Sequence, residues 1–184
     1  MKPSRARTFR IEGDVDEAIV KLAEEDRASL SQVANRALKR YVEWDRAPAT
    51  RGLVSVPSML LVRLMAELSE AKAYELGRWA GKELFLPNVT AGYPTMSLER
   101  AEKMMRMLGS YGGRFTFDHA VEGEKHIFTM GQKMGRNWSA YYAGAIETVF
   151  EGYLGKAMKR TVTDNMCVLE FKAPEARGKG RPPA

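Results

Sequence analysis

The sequence predicts an α+β fold: a small N-terminal module of one strand and two helices, then a larger α+β domain with a small, mainly antiparallel sheet. Three observations carry this expectation. Thr8-Phe9-Arg10-Ile11 alternates polar and apolar side chains, which is the period of a strand. Two runs of helical periodicity follow it directly. Beyond a break at 47–52 that contains Pro48 and Gly52, helical runs give way to alternating ones.

In the first module, residues 1–46, Phe9 and Ile11 point to one side of the strand while Thr8 and Arg10 point to the other. A strand this short needs a partner. Because a helix follows at once, the simplest partner is the same strand of a second copy. Asp14-Val15-Asp16-Glu17 reads as an Asp-x-x-Glu variant of the capping box, and Ser29-Leu30-Ser31-Gln32 as the regular form. The first helix has an apolar stripe at Val15, Ala18, Ile19 and Leu22; the second has one at Leu30, Val33, Ala34, Ala37, Leu38, Tyr41 and Val42. A segment of about 45 residues is too small to bury both stripes alone. A homodimer is therefore expected on two grounds, the strand and the helices.

Residues 47–52 read as a linker, and 53–174 as a second folded domain. Leu53-Val54-Ser55-Val56 is a short strand candidate closed by Pro57, and Ser58 can cap a helix carrying Leu61, Leu64, Met65 and Leu68. That helix continues to Phe85 with a break near Ser69, and its Gly77 and Gly81 have the spacing of close helix packing. After a breaker-rich loop at 87–94, Ser97 opens a Met-rich helix with Ala101, Met104, Met105 and Leu108 inside, ended by Gly109, Gly112 and Gly113. Residues 114–119 and 126–130 alternate about a polar Glu122-Gly123-Glu124 turn, a hairpin signature. A helix over 136–153 and a strand over 166–172 complete the domain, and 175–184 is a basic tail without the composition to fold.

Composition narrows the classes. With 184 residues and 45% hydrophobic content, the chain holds one small module and one ordinary domain. A net charge of +6 and a pI near 9.5 lean toward polyanions only weakly. Their placement says more, since Lys2, Arg5, Arg7 and Arg10 precede any acid, and such an arm suits phosphate contact. No apolar run reaches the length of a membrane span, and the basic N-terminus lacks the apolar core of a secretory signal. A single cysteine, Cys167, forms no internal disulfide and fits a reducing cytoplasm.

The stretch from Arg7-Thr8-Phe9-Arg10-Ile11 through Ser29-Leu30-Ser31 to Arg36-Ala37-Leu38-Lys39-Arg40-Tyr41 resembles the ribbon-helix-helix DNA-binding proteins of the Arc/MetJ/CopG type. The resemblance covers residues 5 to about 46, a quarter of the chain. It implies an intersubunit β-ribbon in the major groove of double-stranded DNA, with Ala6, Thr8 and Arg10 facing the base edges. Ala6 stands where the family usually has a polar residue. The resemblance also implies that backbone amides at Ser29, Leu30 and Ser31 hold a phosphate. A sequence-specific transcriptional regulator, most simply a repressor, is the expectation. A weakly specific architectural DNA-coating protein and the antitoxin of a toxin–antitoxin pair are the alternatives.

For the second domain, a sensor role and an assembly role that builds oligomers beyond the dimer are both open. Asn137, Trp138, Tyr141 and Tyr142 combine aromatic and polar groups as a small-molecule effector pocket would, and as a core would. His119, His126 and Cys167 are ligand types, and the two histidines flank the hairpin turn. With no third histidine and Cys167 among apolar neighbours, the expectation is no metal and no cofactor. There is no phosphate loop, HExxH, CxxC or Gly-x-Ser-x-Gly elbow, and Asp118 and His119, adjacent on a strand, face opposite ways. The chain is not expected to be an enzyme.

Overall fold

A computed structural model describes residues 5–46, 55–87, 97–113, 115–154 and 157–172, with the side chains of 153 and 154 left out. The chain divides into two compact units, Met1–Val54 and Ser55–Ala184. The expected linker at 47–52 and the tail at 175–184 lie outside the described residues.

The first unit corrects the expected fold class. Residues 5–12 belong to no strand, and the first regular element is helix α1, Gly13–Glu25. The N-terminal ribbon is therefore not present. The reason is that a strand exists through its ladder: four alternating residues without a hydrogen-bonded neighbour remain irregular however well they alternate. The Asp14–Glu17 capping box is not formed either. Glu12 holds the N-cap position without a side-chain bond, and Asp14 and Asp16 lie inside the first turn, where their charge favours the positive end of the helix. Helix α2, Leu30–Arg40, begins at the expected box: Ser29 N donates to Gln32 Oε1 at 2.8 Å and Gln32 N donates to Ser29 Oγ at 3.2 Å. Between the helices Arg27 takes a left-handed φ of 50°, and Asp26 pairs with Arg36 of α2. After α2, residues Tyr41–Asp45 form a π-helical turn.

In the second unit α3 spans Ser58–Ala66, α4 Glu70–Ala80 with a π-helical continuation over Gly81–Phe85, and α5 Leu98–Gly112. Ser55 and Val56 belong to no strand, and Pro57, not Ser58, holds the N-cap of α3. Ser69 breaks α3 from α4 as expected, accepting from Lys72 N at 3.3 Å. The strands are β1 Thr116–Glu122, β2 Lys125–Gly131, β3 Lys159–Val162 and β4 Met166–Lys172, and α6, Arg136–Leu154, lies between β2 and β3 in the chain. They form one antiparallel sheet in the order β1-β2-β4-β3. The β1–β2 turn needs Gly123, whose φ of 62° is costly for other residues.

One sheet face carries Phe128, Met130, Cys167, Leu169 and Phe171, all buried, and α6 supplies Ala143, Ile146, Val149 and Phe150 to the same core. Helix α4 lies against α6 at backbone distance. A Cβ added at Gly81 would sit 2.6 Å from the Ala145 carbonyl oxygen, and one at Gly77 or Gly144 would also strike backbone of the facing helix. Strand β3 was not expected. Lys159-Arg160-Thr161-Val162 is short and basic, the usual character of a protected sheet edge, and too polar to register as an alternating segment.

Candidate functional site

The candidate nucleic-acid interface is the N-terminal arm together with the start of α2. Arg5, Ala6, Arg7, Thr8 and Arg10 are all exposed, and so are Ser29 and its neighbours Leu30 and Ser31. Lys2 lies outside the described residues. Basic charge is concentrated ahead of Glu12, Asp14, Asp16 and Glu17, so the arm is positive while the helix start behind it is negative. The capping box occupies the amides of Ser29 and Gln32. Those of Leu30 and Ser31 stand at a helix start, where backbone N–H groups have no intrahelical acceptor and suit an anion.

Beside this arm lies an apolar surface that one chain does not cover. Among the described residues of the first unit only Ala23 and Val33 are buried. Phe9 is 66% exposed and Ile11 50%; Val15, Leu22, Leu30, Leu38, Tyr41 and Val42 are exposed as well. The stripes expected to need a second copy are thus uncovered in the single chain. Apolar area of this extent marks an interaction surface in a folded protein.

In the second unit the expected effector residues separate. Asn137 Nδ2 donates to the carbonyl oxygens of Met65 at 2.9 Å and Leu68 at 2.8 Å, closing the end of α3. Asn137 also lines a groove of about 340 Å³ with Val62, Met65, Met134 and Arg136. Trp138 and Tyr142 are buried in the core, and Tyr142 meets Phe115 edge-on at 5.2 Å. Trp138, Tyr141 and Tyr142 also pack on one another, so only Asn137 of the four reaches the groove.

The hairpin register does bring the two histidines together. His119 pairs with Phe128 and His126 with Val121, which places the imidazoles diagonally on one face. His119 Nε2 lies 2.9 Å from His126 Nδ1, and His119 Nδ1 donates to Glu102 Oε2 of α5 at 3.0 Å. Arg106, one turn further along α5, donates to Glu102 Oε1 at 2.8 Å. The bonds from His119 and Arg106 hold the Glu102 carboxyl below its ordinary range. His126 stacks on Phe171, and burial, then the His119 charge, lowers its pKa. Glu102, His119 and His126 are thus joined in a short hydrogen-bonded chain from α5 to β2. Cys167 does not join them. It pairs with Met130, four residues from Phe171 along β4, about 13 Å at the rise of a strand. Burial, then Glu147, pushes its thiol up to about 12. No group of three metal-ligand side chains able to hold an ion is found among the described residues. Asp118 lies on the exposed face of β1, away from His119.

A second polar centre escaped the sequence reading. Glu147 of α6 is 3% exposed; its Oε2 accepts from Tyr74 Oη at 2.5 Å and from Arg160 Nη1 at 3.4 Å. The Arg160 guanidinium lies 4.1 Å from the centre of the Tyr74 ring. Oε1 of Glu147 is buried without a hydrogen-bond partner among the described residues. The signal was a lone carboxylate in the apolar run Ala143 to Phe150, which ties α6 to α4 and to the edge strand β3. The carboxylate is buried and held between Tyr74 and Arg160, so this centre reads as a structural bracket joining three elements.

No helix among the described residues is long and apolar enough to cross a membrane. No protein-family model matches the chain, and no curated protein matches it either.

Proposed function

We propose that this chain is a sequence-specific DNA-binding transcriptional regulator, acting as a repressor from a homodimer of its first unit in the cytoplasm. One observation carries the reading: an exposed basic arm, Arg5 to Arg10, runs directly into a two-helix unit whose apolar stripes are uncovered in the single chain. Pairing two copies through those stripes sets two basic arms side by side. Each arm neutralises phosphates through Lys2, Arg5 and Arg7. Thr8 and Arg10 read base edges, and the amides at the start of α2 anchor the backbone. The second unit serves ligand response or assembly.

The experiment is a binding titration of the purified protein against its own upstream DNA and against a random duplex, at physiological salt. A preference of about 10³-fold or more supports the proposal. Equal binding to both duplexes overturns it in favour of a DNA-coating protein, and no binding to either removes DNA from the function altogether. Arg10→Ala should reduce discrimination with the dimer intact, by about 1–3 kcal/mol. Lys2→Ala should instead weaken both duplexes alike and flatten the salt dependence.

A further inference from the structure

Helix α4 places its residues by size in an unusual way. Its inner side, against α6, is made of Ala73, Gly77, Ala80 and then Gly81, all buried. Its two largest apolar side chains, Leu76 and Trp79, point outward at 38% and 53% exposure. Small residues inside are needed because the two backbones touch, as the Gly81–Ala145 approach shows. Nothing comparable requires a tryptophan outside. An exposed Trp beside an exposed Leu on a rigid helix is the composition of an interface centre.

The charges around this pair are ordered. Lys72, Leu76, Trp79 and Glu83 follow one another at steps of four, three and four residues, which keeps all four on one side of the helix. Lys72 and Glu83 are exposed and lie equally far from the midpoint between Leu76 and Trp79, on opposite sides of it. Such a face is complementary to itself. Two copies laid antiparallel about a twofold axis through that midpoint bring each Leu76 onto the other copy's Trp79. The same rotation sets each Lys72 against the other copy's Glu83. Parallel packing would oppose like charges. Glu83 also approaches Lys82 of its own chain at 3.4 Å, an exposed contact of little strength that leaves the carboxylate able to accept a second cation.

We propose that the Lys72–Leu76–Trp79–Glu83 face of α4 is a second, isologous homodimer interface, and that the occupant is another copy of this chain. With pairing through the first unit, the assembly is a dimer of dimers that can hold two DNA sites. The face belongs to the second unit alone, so it stands whether or not the first unit reads DNA. An isologous contact closes on itself as a pair, so this face by itself joins two copies and no more.

The test is sedimentation of the full chain with charge reversals at the rim, where folding is not at stake. Lys72→Glu alone and Glu83→Lys alone each place like charges across the axis twice, and each should halve the particle mass at a concentration where the wild type is fully assembled. The double variant Lys72→Glu/Glu83→Lys restores both pairs with the signs exchanged and should recover the wild-type mass. Far-ultraviolet circular dichroism checks that helix content is unchanged. The proposal is overturned if either single reversal keeps the wild-type mass, or if the double variant stays at the reduced one. DNA titration of the same variants separates the two readings: a regulator that fails to discriminate DNA while showing the mass pattern loses only its DNA assignment.

Discussion

Gly81→Ala sets two effects of opposite sign against each other at one atom. In an exposed helix, replacing Gly with Ala removes backbone freedom from the unfolded chain and stabilises by about 1 kcal/mol. At Gly81 the new Cβ would stand 2.6 Å from the Ala145 carbonyl oxygen, 2.8 Å from Thr148 Cβ and 3.2 Å from Ala145 Cα. Two of these three atoms are backbone of α6, so no rotamer change relieves them. Restoring ordinary contact moves α4 from α6 by more than half an ångström, and a gap of that size forfeits a quarter to a half of the dispersion energy along the seam. Overpacking of this kind costs about 1–3 kcal/mol, and the closeness of all three contacts points to the upper end. The net expectation is destabilisation by about 1–2 kcal/mol, seen as a fall of about 2–8 °C in the melting temperature. Thermal unfolding followed by circular dichroism measures it. A variant as stable as the wild type, or more stable, would refute the backbone-level packing of α4 on α6.

Three further outcomes follow from the geometry. Leu38→Glu puts a charge onto the uncovered face of α2, where Leu38 is half exposed; it should halve the particle mass in sedimentation and abolish discrimination between DNA duplexes, and an unchanged mass would place the first-unit interface elsewhere. Stability should decline with acid in two stages. His126 is held below its ordinary 6.5, mainly by burial. The unfolded chain therefore takes up that proton first, and stability present above about pH 6.5 is lost as pH falls toward the folded value. Glu102, held below 4.5 by His119 and Arg106, adds a second loss that starts lower, near pH 4.5. Denaturation midpoints from pH 7 down to about 3 for the wild type and His126→Asn test this, and an identical slope in both between pH 6.5 and 5 would remove His126 from the account. Tyr74→Phe takes the stronger partner from Glu147 Oε2 and leaves Arg160 at 3.4 Å; a loss of about 1–2 kcal/mol in chemical denaturation is expected, and an unmoved midpoint would show that the hydroxyl contributes nothing.

Features that depend on neighbours along the chain were legible in the residues alone. The capping box at Ser29, the helix stop at Ser69, the Ser97 start of α5, the left-handed Gly113 after it and the hairpin about Gly123 all follow from residue types a few positions apart. The close seam at Gly77 and Gly81 does so too, since small residues at that spacing let two helix backbones approach closely. Tertiary structure decided whatever needs a distant partner. Thr8 to Ile11 alternates like a strand, yet alternation supplies no ladder, and the segment is not one. Edge strand β3 shows the converse, a polar segment made into a strand by the free edge of β4. Whether His119 and His126 met depended on hairpin register, because a slip of one residue would have turned one ring to the opposite face. Trp138 and Tyr142 carry the residue types of a pocket and of a core alike, and the fold buried them. Glu147 was hidden for the same reason: its partners Tyr74 and Arg160 lie on two other elements, and only the folded sheet and helices bring them to one carboxylate.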